Sequence, residues 1–151
     1  MQHELLEFKV ALQQSMHAAL HYLNARTPHR YTGIWRYEGQ LLRNEALYDR
    51  STPTLRRGED APLSATYCAV VGQQSPLVIA DAATDARAQV QAVPTPVVSY
   101  CGVLIADAQG RPFGTLCHYD LDRCQPRLSD LPLLEAAGAL FYQQLYPTSL
   151  S

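Results

Sequence analysis

The sequence predicts an α+β fold, an antiparallel sheet with helices at both ends of the chain. Three observations predict it. Apolar residues recur at steps of three and four over residues 3–25, the period of a helix that buries one face. The same period returns in "SDLPLLEAAGALFYQQL" near the C-terminus. Between these stretches, short runs shift to period two, and two of them flank a turn, the pattern of paired strands. The 151 residues suit one domain spanning 1–151, with its core at about 3–146, long enough to bury a core without disulfides or metals.

In chain order, Leu5, Phe8, Leu12, Met16, Leu20 and Leu23 form the stripe of the first helix, which Pro28 ends. "RYTGIWRYE" and "LLRNEALYD" read as strands joined at "GQ", and Pro53 to "RRGED" is a polar loop. Asp60 is positioned to cap a short helix through "APLSATYCAVV", with Pro62 in its first turn and Gly72 just past its end. "PLVIAD" is a short apolar run, expected as a buried strand. "DAATDARAQV" is expected as a loop with one helical turn, capped by Asp81 or Asp85. "VPTP" excludes regular structure at 93–96. "VSYCGVLIA" and "PFGTLCHYD" then read as a hairpin around "DAQG". Ser129 can cap the closing helix, whose apolar face is Leu133, Leu134, Ala137, Leu140, Phe141 and Leu145.

A net charge of −2 points to neither nucleic acid nor an anionic membrane as a bulk partner. No run approaches the ~20 apolar residues of a membrane span. The start, "MQHELLEFKV", lacks the basic and then apolar segments of a secretion signal. A reducing cytoplasm is therefore expected, with Cys68, Cys101, Cys117 and Cys124 as free thiols.

"SYCGVLIADAQGRPFGTLCHYD" resembles the central hairpin of GAF domains, in which a "GTLC" strand follows a turn and ends in aspartate. "ATYCAVV" followed by "PLVIADAATDAR" resembles the GAF segment before that hairpin. The resemblance implies a central antiparallel sheet with the N- and C-terminal helices on one face. It also implies a small-molecule pocket on the other face, roofed by the loops and short helix of 52–98. Strand 99–106 is apolar at both alternating sets, as a sheet buried on both faces requires.

Cys117 and His118 are adjacent, and a thiolate beside an imidazole is a nucleophile pair. On a strand, however, neighbours aim at opposite faces. Cys117 then shares a face with Phe113, Thr115 and Tyr119, and His118 shares the other with Leu116 and Asp120. No catalytic residue is assigned. Cys101 and Cys117 lie opposite each other only if the turn has an odd number of residues. His17 and His21 in "HAALH" lack the glutamate and third ligand of a zinc site, so no metal is expected. The resemblance places the ligand among Thr66, Tyr67 and Cys68 of the short helix, Asp81, Asp85 and Arg87 of the aspartate loop, and Tyr100 or Cys101 with His118 on the sheet. Arg87 would meet an anionic ligand or pair with Asp85. Of Trp35 and Arg36, at most one reaches the pocket.

Three functions follow. The first is a cytoplasmic small-molecule sensor with no resident cofactor, acting through a partner or a homodimer of its terminal helices. The second is a thiol enzyme resembling free methionine-R-sulfoxide reductase, with Cys68 as nucleophile but no evident partner thiol. The third is a ligand-free dimerisation module.

Overall fold

The computed structural model describes residues 1–147, so the last four residues of the expected 1–151 span lie outside the described residues. The N-terminal stripe forms two helices, α1 (Gln2–Gln14) and α2 (Met16–Asn24), where one was expected. Ser15 divides them. Its backbone is extended, and its side chain accepts a hydrogen bond from the Ala18 amide at 2.9 Å, which caps α2. Phe8, Leu12, Leu20 and Leu23 stay buried across the break.

Strands β1 (Tyr31–Glu38) and β2 (Leu41–Asp49) pair around Gly39, whose φ of 62° suits a residue without Cβ. The helix expected through 61–71 is mostly replaced. Ala61–Pro62 is a short edge strand, β3, paired with Leu41 and Leu42, and Leu63–Ala65 is a 3-10 turn. Only α3 (Cys68–Val71) is α-helical. Asp60 caps nothing, because its carboxylate accepts the Asn44 amide at 2.9 Å. Strand β4 (Leu77–Ile79) follows, and then α4 (Ala86–Gln91), capped by Asp85 through the amides of Arg87 and Ala88. Strands β5 (Ser99–Ala106) and β6 (Pro112–Asp120) form the hairpin. Helix α5 (Leu131–Leu145) closes the fold. Ser129 sits in the 3-10 turn before it and is not its cap. Asp130 occupies the cap position but turns its carboxylate to Arg26, at 2.8 and 2.9 Å.

Among the described residues, the strands form one antiparallel sheet in the order β3-β2-β1-β6-β5-β4. Helices α1, α2 and α5 pack on one face through Phe8, Leu20, Leu134 and Phe141, which meet Ile34, Val103, Ile105 and Leu116 of the sheet. The other face carries Trp35, Leu42, Tyr100 and Cys117, covered by Tyr67, Cys68, Val71 and Ala88. Two bulges set which residue faces which side. Glu45 is the extra residue opposite Ile34 and Trp35, and Phe113 is the extra residue opposite Ile105 and Ala106. No helix among the described residues is long and apolar enough to cross a membrane.

Candidate ligand-binding site

The hairpin decides what the roofed face presents. Its loop, residues 107–111, holds five residues, an odd number that would set Cys101 opposite Cys117. The bulge at Phe113 shifts the pairing by one, so Cys101 lies opposite His118 and Gly102 opposite Cys117. The two cysteines therefore sit on opposite faces, and all four cysteines are free. Cys117 and His118 likewise face away from each other. Cys117 joins the roofed cluster, whereas His118 is bonded to Thr32 beneath the helices.

A cavity of about 290 Å³ lies between the roofed sheet face, α3 and the 94–97 segment. Its floor is Trp35, Tyr100, Cys117 and Tyr119; Thr66, Tyr67 and Cys68 form one wall, and Pro94 to Val97 another. Tyr100 reaches Cys68 by folding back over Gly102. A Cβ on Gly102 would stand 2.4 Å from the Tyr100 hydroxyl, so only glycine leaves the ring its place. The Cys68 sulfur then lies 3.2 Å from Tyr100 Oη and 3.1 Å from Thr115 Oγ1. Tyr37 Oη donates to the Cys68 carbonyl at 2.6 Å and fixes the first turn of α3 to the sheet.

Electrostatics distinguish the two cavity thiols. Burial acts to raise the Cys68 pKa, but the neighbouring Cys117, Thr115 and Tyr100 outweigh it and leave the thiol below its ordinary range. Burial pushes Cys117 well up, and the neighbouring Cys68 pushes the same way. Burial, followed by the charges of Cys117 and Cys68, also holds Tyr100 well above the usual phenol range. The indole N–H of Trp35 is buried and has no hydrogen-bond partner among the described residues.

Of the residues expected at the site, Thr66, Tyr67, Cys68 and Tyr100 line this cavity. The remaining five do not. Asp81 closes its own turn by accepting the Ala83 amide, and Asp85 caps α4. Arg87 is tied to Asp85 at 3.0 Å and to the Val78 carbonyl, and it borders a separate cavity of about 240 Å³ beside α4. Tyr67 borders both cavities. Cys101 and His118 point to the helix side, where burial raises the Cys101 thiol to about 12. Parity is the reason: Tyr100 and Cys101 are neighbours on one strand, so choosing Tyr100 for the cavity excludes Cys101 and its partner His118. The reading of residues missed Cys117 and Tyr119 as lining, although they share a face with Thr115. It also missed Leu42 and the 94–97 segment, which reach the site only through tertiary packing. Trp35 is the one of its pair that reaches the cavity; Arg36 turns to Glu45 at 2.9 Å.

On the helix side His29 and His118 stack 5.7 Å apart in a buried polar cluster. Asn24 donates to the Thr32 hydroxyl at 2.9 Å, and the same hydroxyl shares a hydrogen bond with His118 Nδ1 at 2.7 Å. Burial lowers His118 to about 3 and His29 to about 4; the charge of Arg50 acts in the same direction on both, and Asp120 partly opposes it at His29. This is a structural pair, closed to the cavity by the sheet.

No protein-family model and no curated protein matches the chain. Solved structures do. The GAF domain of an Acinetobacter phosphoenolpyruvate-protein phosphotransferase superposes with a TM-score of 0.69 at 15% identity, over 93% of this chain and 89% of that one. This chain has a GAF fold. A type II free methionine-R-sulfoxide reductase from Thermoplasma acidophilum shares the GAF fold with it at a TM-score of 0.62 and 18% identity, over 92% of this chain and 94% of that one. The chromophore-binding domain of a Stigmatella aurantiaca bacteriophytochrome matches at 0.69 and 10% identity, over 97% of this chain and 60% of that one. At these identities the likeness is one of GAF fold, and the cavity must speak for the ligand.

Proposed function

We propose that this chain is a cytoplasmic small-molecule sensor domain whose ligand is uncharged and largely apolar. A roofed cavity of about 290 Å³, lined by Trp35, Tyr67, Tyr100 and Tyr119 and by no charged side chain among the described residues, carries this reading. Such cavities, mostly apolar with a few placed polar groups, are the usual form of a ligand site. An anionic ligand is disfavoured, because Arg87 is engaged with Asp85 away from this cavity. Thr66, Thr95, the tyrosines and the thiols are the polar side chains that line it for a bound neutral molecule.

Signalling needs a ligand to favour one of two states of a larger assembly. A homodimer through the terminal helices is the assembly we favour, and the exposed Leu6 and Val10, one turn apart on α1, are consistent with it. Native mass spectrometry of freshly purified protein tests the ligand reading. A co-purifying neutral molecule is expected, and at 100 times its Kd it should stabilise the fold by ~2.7 kcal/mol. A bare chain that also gives no thermal shift with a panel of neutral aromatic compounds would favour the ligand-free module. Light scattering at micromolar concentration that finds only monomer would remove the dimer.

A second reading, reduction of methionine-R-sulfoxide, draws on one observation: Cys68 of α3 and Cys117 of β6 line the same cavity. An assay with thioredoxin as reductant tests it, and activity surviving Cys68→Ser would remove Cys68 as its nucleophile.

A further inference from the structure

Two thiols and two hydroxyls from three elements meet at the cavity. Cys68 comes from the first position of α3, Tyr100 from β5, and Thr115 and Cys117 from one face of β6. Both hydroxyls lie within 3.2 Å of the Cys68 sulfur, and Thr115 stands two residues before Cys117 on the same strand face, in the one cluster that holds both thiols. Both cysteines line a space large enough for a small organic molecule, and both side chains are buried. The remaining cysteines cannot join them. Cys101 is on the other face of the sheet, and Cys124 lies past the end of β6 beside Asp120, at 3.7 Å.

We propose that Cys68 and Cys117 form an oxidisable dithiol, in which Cys68 reacts with an organic hydroperoxide entering the cavity and Cys117 closes a disulfide onto it. Cys68 is suited to attack, because the Tyr100 and Thr115 hydroxyls, at 3.2 and 3.1 Å, are placed to stabilise its thiolate. Cys117, held protonated by burial and by Cys68, keeps the proton that the second step releases. In the first step the Cys68 sulfur takes the distal oxygen of ROOH; the O–O bond breaks, ROH leaves with the thiol proton, and sulfur is oxidised to the sulfenic acid. In the second step the Cys117 sulfur attacks that sulfenic sulfur, the S–O bond breaks, and water leaves with the Cys117 proton. The overall change is two thiols and ROOH to a disulfide, ROH and water. The bond would join α3 of the roof to β6 of the floor, so oxidation alters the cavity wall. The reaction requires only the two thiols and the cavity mouth, and so is separable from whichever ligand the cavity holds.

The experiment uses the full chain with Cys124→Ser, which removes the partly exposed thiol without touching the cavity. Cumene hydroperoxide, whose apolar body suits the lining, is added, and intact mass and non-reducing peptide maps are read. The expected product has lost two hydrogens and carries a Cys68–Cys117 cross-link. With Cys117→Ala, reaction should stop at a dimedone-trappable sulfenic acid on Cys68. With Cys68→Ser, oxidation at Cys117 should slow by about tenfold or more, since a protonated buried thiol is a poor nucleophile. A second measurement needs no cavity variant: the pH dependence of iodoacetamide labelling should give Cys68 the lower pKa of the two. Unchanged mass under conditions that oxidise free cysteine, a cross-link to Cys101, or labelling in which Cys117 titrates below Cys68 would overturn the proposal.

Discussion

On the helix side of the sheet, Phe8, Leu20, Ile34, Leu116, Ala137 and Phe141 have no solvent exposure, and their side chains interlock from three helices. On the roofed side the residues are buried to a similar degree, but the covering pieces are a four-residue helix, a six-residue helix and an irregular segment around a hollow of about 290 Å³. The same strands supply both faces. The difference lies in the cover: long helices present continuous stripes that close over the sheet, whereas the short elements leave a hollow between Tyr67, Tyr119 and the 94–97 segment. One face provides stability and the other gives it up for a site, which is the usual division between scaffold and binding loops.

The comparison breaks first if truncation costs the same on both faces. Phe141→Ala should destabilise the chain by ~3–5 kcal/mol, because the cavity it leaves is walled by helices that cannot collapse. Val97→Ala, at the edge of a space already open, should cost less than ~1 kcal/mol. Urea denaturation of both variants checks this, and equal losses would mean that the roofed face is as tightly packed as the other.

The next effect is pH dependence confined to the helix side. His29 and His118 have folded pKa values depressed to about 4 and about 3. Their contribution is fully present above the unfolded value of ~6.5 and is lost as pH falls towards the folded values. Stability should drop by ~1.4 kcal/mol per pH unit for each histidine between about pH 6 and 4. His118→Gln should flatten that slope by roughly half, as read by denaturation at a series of pH values.

Two smaller effects sharpen the roofed side. Ala65→Leu, placed in the cavity wall, should change stability by less than ~1.5 kcal/mol, since the space accepts the added volume, while abolishing thermal shifts from cavity ligands. Arg87→Ala should cost no more than ~0.5 kcal/mol, the worth of a half-exposed ion pair, and leave those ligand shifts unchanged. Loss of ligand shifts in Arg87→Ala would move the site to the neighbouring cavity beside α4.

Periodicity made the scaffold readable. The alternation of "TGIWRY" and the runs either side of "DAQG" are local patterns that became strands where they were expected, and the stripe of Phe8, Leu12 and Leu20 became helix, though in two pieces. Caps were less readable, since several acceptors compete for a few amides. Asp60 was drawn to Asn44, Asp130 to Arg26, and Ser15 broke a stripe that periodicity alone runs straight through.

From the residue order alone came the α+β class, the opposed aim of Cys117 and His118, and the resemblance that the fold comparison matches. These depend on alternation and period, which neighbouring residues carry among themselves. Which face of the hairpin meets the hollow, and hence that Cys68 meets Cys117 and not Cys101, depended on one extra residue at Phe113 and on a roof built from distant segments. A bulge reverses parity for everything beyond it, and its place is set by how the sheet must bend under its helices, a property of the packed whole.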